Sequence, residues 1–339
     1  MDSRRIPRIV GWSADLQSAS GGCGGQRARA DLKIHAPARA CGAGEIPRFM
    51  MMLSTTLVAL FALVLPESSD GEPGAGKRVE VTAPEYAGTE VHHTLYLPEG
   101  WEAKSDKKWP VIVEYTGNYY PKSGSTGKVE DAGLGFGISR GKAIWVALPY
   151  VAAGGKKNEV TWWGDAKATV EYAKTNVPRI CAKFGGDPER VVICGFSRGA
   201  IGVNFIGLHD DEIAKLWCGF VTHDHYDGVR EWGGTDWGAP LDEYRKKATE
   251  RLKRLDGRPV LVCQNGHTRD IDAFVKDRVS TDGFTFLDID ARRILGEFPN
   301  TTAIHPHTDR WLLKPSPERE KVWVWMASVC GGGSASGAD

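Results

Sequence analysis

No charge imbalance runs through this sequence: 43 Lys and Arg stand against 43 Asp and Glu. A chain without a basic excess has no general attraction for nucleic acid or for an anionic membrane surface. Long apolar runs are missing too. The stretch that stands out, Leu53 to Leu65, is too short to cross a bilayer. Cysteine is sparse, with 7 among 339 residues, and its scatter fits neither a disulfide framework nor a zinc pattern. There is no phosphate-cradling loop, no dinucleotide fingerprint and no basic stripe with interleaved aromatics, so nucleotide and nucleic-acid roles have nothing to rest on. What remains is an apolar content of 41%, as in soluble globular proteins, in a chain long enough for one large α/β domain.

Residues 1–49 differ from the rest. They lack hydrophobic periodicity, carry eight basic against four acidic residues, and read as an over-extended or disordered leader. Met50-Met-Met52 then precedes the apolar run, and residues 50–66 read as a signal peptide. The protein is therefore expected to be secreted or periplasmic, with no membrane association after signal removal. Without residues 1–49 the balance is 35 basic against 39 acidic residues. Residues 67–76 have linker composition and 331–339 read as a disordered tail, which leaves 77–330 as the folded domain. Of the five cysteines beyond the leader, Cys194, Cys218 and Cys263 fall on predicted core strands. A bridge from Cys181 to Cys330 is conceivable, with nothing in the sequence to support it.

Strand and helix signals alternate from residue 77 onward. Strands are predicted at Val79–Thr82, Val91–Leu97, Trp109–Tyr115, Ala143–Leu148, Leu216–Thr222, Pro259–Cys263 and Phe284–Ile289. Asp165–Phe184 and Pro317–Val329 read as helices, the second with Ser316 as its cap and Pro317 at its first position. Alternation of this kind predicts an α/β fold with a mostly parallel sheet and helices on both faces. Ligands of such sheets sit at the carboxyl ends of the strands.

The chain is organised around Arg190-Val-Val-Ile-Cys-Gly-Phe-Ser-Arg-Gly199. Val191 to Ile193 reads as a buried parallel strand, and the small and apolar residues after Gly199 read as a helix. Between them lies Gly195-Phe-Ser197-Arg-Gly199. In a strand-turn-helix of this G-x-S-x-G form the serine is lifted clear of the sheet, and the glycines let strand and helix pack closely. With 41 glycines in the chain, one chance match is no surprise. A second copy, Gly137-Ile-Ser139-Arg-Gly141, serves as a control. It precedes a strand, the wrong order for an elbow, so Ser139 reads as a turn residue and Ser197 as the candidate nucleophile.

A serine nucleophile needs a base, and the base needs an acid, in the chain order serine, acid, histidine. Only His305 and His307 lie beyond the last predicted strand. The run His307-Thr-Asp-Arg-Trp-Leu-Leu-Lys314, followed by Pro-Ser-Pro-Glu-Arg319, resembles the end of secreted bacterial α/β-hydrolase esterases, relatives of the polyhydroxybutyrate-depolymerase-like and prolyl-oligopeptidase-like hydrolases. Leu95-Tyr-Leu-Pro98, Tyr115-Thr-Gly117 and Gly186-Asp-Pro-Glu-Arg190 extend the resemblance over residues 79–329. It implies an α/β-hydrolase fold and a cofactor-free serine hydrolase acting on carboxylic esters, small or polysaccharide-borne. It further implies His307 as base, with His305 the alternative. The oxyanion would be held by backbone N–H groups at Arg198 and at Thr116 or Gly117, where the family's His-Gly pair is replaced. For the acid it points to Asp270, while Asp224 and Asp227 at the previous strand end stay open.

Two rival classes follow from other features. Thr222-His223-Asp-His225-Tyr-Asp227-Gly matches most of a T-H-x-H-x-D-H zinc motif, although Gly228 stands where its last histidine would be. A non-catalytic binding protein on the same fold is the other. Under the serine reading, His225, Asp227 and Trp163 become candidate substrate contacts, and Trp162, Trp232 and Trp237 further candidates for a platform under a sugar ring.

Overall fold

β-Branched and aromatic runs form the central strands, and there the side chains alternate between two cores. In a computed structural model, residues 62–230, 241–296 and 307–331 are described. All lie in one compact unit, Val58–Asp339. The strands are β1 Ser68–Ser69, β2 Arg78–Val81, β3 His93–Tyr96, β4 Trp109–Tyr115, β5 Ile144–Ala147, β6 Tyr150–Val151, β7 Asn158–Glu159, β8 Gly186–Phe196, β9 Gly219–His223, β10 Val260–Asn265 and β11 Phe284–Ile289. Nine of them form a single sheet in the order β1-β2-β3-β5-β4-β8-β9-β10-β11, with β6 and β7 paired apart. β3 is antiparallel to both its neighbours, and from β5 to β11 every pair is parallel. This is the α/β-hydrolase arrangement.

The helices are α1 Leu134–Ser139, α2 Ala166–Phe184, α3 Arg198–Phe205, α4 Asp211–Ala214, α5 Leu241–Leu252, α6 Arg269–Lys276, α7 Ala291–Leu295 and α8 Pro317–Cys330. They cover both faces. Val111, Val113, Val191, Ile193, Val260 and Val262 meet side chains of α2, α3 and α6 in one core. The alternate residues Ile112, Val192, Cys194, Leu261 and Cys263 meet α1 and α8 in the other. Asp165 caps α2 by accepting the Ala168 N–H at 2.9 Å and, as expected, Ser316 caps α8 through the Arg319 N–H at 3.1 Å.

Three expectations need correction. The stretch 67–76 is not all linker, because Ser68 and Ser69 pair with Arg78 and Val79 at the sheet edge. Leu63 and Leu65, assigned to the signal peptide, pack on the second core, and the Leu63 N–H bonds the Leu313 carbonyl at 2.8 Å. Contacts across the chain decide these positions, and composition carries no trace of them. Gly185-Gly-Asp-Pro188 reads in sequence as a turn feeding the elbow strand, but only Gly185 turns, as the C-cap of α2. Gly186 to Pro188 already belong to β8, whose pairing with β4 shifts register between Trp109 and Val111. Residues 1–61, and with them the apolar run up to Phe61, lie outside the described residues.

Candidate active site

Ser197 sits between β8 and α3 with φ 58° and ψ −119°, a left-handed conformation that costs a non-glycine residue of order 1–3 kcal/mol. Its N–H bonds the His223 carbonyl at the end of β9, at 2.9 Å. The flanking glycines are steric necessities. A Cβ on Gly195 would lie 2.2 Å from the Gly199 carbonyl, and one on Gly199 only 1.8 Å from the Tyr115 oxygen. The other copy makes no such turn. Ser139 ends α1, buried, with its hydroxyl donating to the Phe136 carbonyl at 3.3 Å.

Arg198 joins the elbow to the loops around it. Its buried guanidinium donates to the carbonyls of Thr116 at 3.3 Å, Gly127 at 3.2 Å, Trp162 at 2.9 Å and Glu159 at 3.4 Å, and lies 4.1 Å over the Tyr150 ring. Burial lowers its pKa to about 10, which still leaves it charged at neutral pH. The Thr116 hydroxyl points into the same cluster, donating to the Gly127 carbonyl at 3.4 Å. Gly117 lies against the serine instead, its Cβ position 3.4 Å from Ser197 Cβ.

His307 comes to the same strand ends. Its ring lies on that of Phe196, the residue before Ser197, with centroids 4.6 Å apart. Its Nδ1 is 3.0 Å from Asp224 Oδ2. Asp224 follows β9 with φ 58°, a turn that a short polar side chain tolerates. Its N–H bonds the Cys263 carbonyl at 2.9 Å, and its Oδ1 accepts the Asn265 N–H. A second imidazole faces the same carboxylate: His223 Nδ1 stands 3.4 Å from Oδ1. The Trp311 indole N–H donates to His223 Nε2 at 2.6 Å, so the His223 proton belongs on Nδ1, toward Asp224. Burial alone would raise the Asp224 carboxyl. The imidazole of His223, then that of His307, outweighs burial and holds it well below the ordinary carboxylate range.

The acid expected at Asp270 is thereby corrected. Asp270 is exposed in the first turn of α6, and it is Asp224 that bonds His307. Asp227, expected at the substrate, is also misplaced. It is fully buried, accepting from the Tyr244 hydroxyl and from Arg251 Nε at 2.8 Å. Trp163 is a core residue, packed on Phe205 with ring centroids 4.5 Å apart. His225 stays near the site, its ring 5.0 Å from that of His307, in a recess shared with Gln264, His267 and Asp270. Burial first, then the neighbouring His307, keeps its pKa well below the usual imidazole value. His305, Trp232 and Trp237 lie outside the described residues. Sequence reasoning missed the support given by Trp311 and His223, though Trp311 stands four residues after His307.

The zinc reading fares poorly on geometry. His223 Nε2 is taken by Trp311, and Asp227 by Tyr244 and Arg251. Among the described residues the ligand atoms that do cluster are those of Glu80, His92 and Glu130, all within 4.8 Å of one another. There, His92 Nδ1 faces the Glu90 carbonyl at 2.9 Å and Nε2 faces Glu130 Oε1 at 2.7 Å. Two acceptors require two N–H donors, so the ring is an imidazolium in an ion pair. The Glu130 hydrogen bond, working against burial, raises the His92 pKa above 6.5, and the pair lowers that of Glu130 below 4.5 despite burial.

The pH dependence follows from these signs. The histidine's share of stability is complete below 6.5 and fades as pH climbs through its raised folded value. The glutamate's share is complete above 4.5 and fades as pH falls through its lowered value. His92→Gln is therefore expected to cost most between these limits, about 1 kcal/mol after solvent screening. Urea melts of both proteins across pH read this directly, and a cost that does not fade on the alkaline side would contradict the pairing.

No family model matches the sequence, and comparison with curated proteins gives no match. Many solved structures align. A ferulic acid esterase aligns at 16% identity over 75% of this chain and 98% of its own, with TM-score 0.47. The esterase Est22 aligns at 14% over 76% and 80%, with TM-score 0.48. A fungal esterase from Rhizomucor miehei aligns at 14% over 76% and 84%, with TM-score 0.44.

Proposed function

We propose that the protein is an exported carboxylic ester hydrolase in which Ser197, His307 and Asp224 carry acyl transfer. The observation that carries this reading is the strained serine at the strand-helix turn beside a histidine held 3.0 Å from a buried carboxylate. Ser197 Oγ attacks the ester carbonyl carbon while His307 Nε2 takes its proton, and Asp224 stabilises the imidazolium. The oxyanion is held by the Arg198 N–H and by an N–H at Gly117, the strand-end residue that lies against the serine. His307 then passes its proton to the leaving alcohol, and water, activated by the same imidazole, releases the acid.

For the substrate, a ring-bearing ester such as an acylated sugar is the finer part of the proposal. With Trp163 buried, the large aromatic surface near the elbow comes from Tyr119, 53% exposed, and Tyr120, 40% exposed, on the chain just after Gly117. Turnover of an aryl acetate is expected to be abolished by a serine-directed phosphonate and unaffected by a chelator. Loss of turnover with chelator and its return with zinc would refute the serine mechanism. Tyr119→Ala should raise KM for an acetylated oligosaccharide several-fold and leave ethyl acetate unchanged; an equal effect on both would remove the ring-binding role.

A further inference from the structure

The sequence left a bridge from Cys181 to Cys330 conceivable but unsupported. The fold separates them: Cys181, on α2, belongs to one core and Cys330, at the end of α8, to the other, on opposite sides of the sheet. Cys194 and Cys263 cannot pair with each other either, because β9 lies between their strands and two strand spacings exceed the reach of a disulfide.

Cys218 is different. It immediately precedes β9, packs on the same core as Cys330, and bonds the Val191 carbonyl through its N–H at 2.8 Å. The neighbouring residue of that strand, Arg190, reaches the Cys330 carbonyl with its guanidinium at 3.2 Å. The residues beside the two cysteines also touch, since a Cβ on Gly219 would lie 2.9 Å from Val329 Cγ1. The Cys330 thiol donates to Met326 Sδ at 4.0 Å, and the interaction between the two neighbouring thiols lowers the Cys218 pKa and raises that of Cys330. Cys218 is only half-buried, and Cys330 borders a recess of about 230 Å³ with Trp323 and Met326, so an oxidant can approach.

The geometry points to Cys218 and Cys330 as a disulfide pair that fastens the end of α8 to the start of β9. Cys218, the more acidic thiol, attacks the sulfur of a small disulfide oxidant and releases one thiolate. Cys330, having lost its proton, then attacks the Cys218 sulfur and releases the second thiolate. Two protein thiols are oxidised and one oxidant disulfide is reduced to two thiols. The bond closes residues 218–330 into one loop, and that loop contains both Asp224 and His307. It restrains the unfolded chain over a long span, where such cross-links stabilise most.

The test uses the full chain purified without reductant and equilibrated with oxidised glutathione. After alkylation and trypsin, fragments 216–230 and 322–339 are expected as one cross-linked species, lighter than the sum of the two free-thiol peptides by two hydrogen atoms and separated by reductant. Melting of the oxidised protein should fall on reduction by on the order of 5–10 °C. Cys218→Ser should show no such response to reductant. Recovery of both fragments alkylated or glutathionylated one by one, or linkage of 322–339 to fragment 180–183, would overturn the pairing.

Discussion

Replacing Ser197 with alanine is expected to lower kcat on an activated ester by about a millionfold, with little change in melting temperature. The loss is large because the attacking oxygen goes while the turn that presents it remains. Alanine inherits the same positive φ, so neither strain nor packing is relieved. Ser139→Ala should stay near wild type, since that hydroxyl only closes the last turn of α1 on the Phe136 carbonyl. The pair of variants separates two copies of one pattern that differ only in context. Comparable losses at both positions would refute the elbow assignment.

Asp224→Asn should lower kcat by about ten-thousandfold, whereas Asp270→Asn should remain within a few-fold of wild type. The amide keeps the shape of the carboxylate. It can still accept at its oxygen, but its NH2 turned toward His307 would demand an unprotonated Nδ1, leaving the proton on Nε2, the nitrogen that must accept the serine proton in the proposed mechanism. Loss of the negative charge also leaves the imidazolium of the attack step without its counter-ion. Alkaline rescue of the Asp224→Asn variant would mark the defect as one of tautomer and charge. A full-sized loss at Asp270 with an intact Asp224 variant would return the acid to the position that the sequence suggested.

Some of this was legible in residue order alone. The elbow is a local device. A β-branched strand, two glycines and a small-residue helix within fifteen positions state its steric demands, and the distances at Gly195 and Gly199 are those demands realised. The alternation of strands and helices likewise pointed to the mostly parallel sheet, and Ser316 announced the cap it makes. His307 could be picked by chain order and the motif around it.

The acid could not. Asp224, Asp227 and Asp270 all lie between Ser197 and His307, so order treats them alike. What separates them is the left-handed turn at Asp224, which aims one carboxylate along the strand ends while Asp227 is drawn into Tyr244 and Arg251. The fate of Trp163 was decided in the same way, by Phe205 closing over it, and the partner of Cys330 by which face of the sheet each cysteine meets. Local sterics act between residues a few bonds apart and are written in the sequence as pattern. The meeting of side chains from different strands depends on register and facing, which the chain acquires only when the whole sheet is assembled.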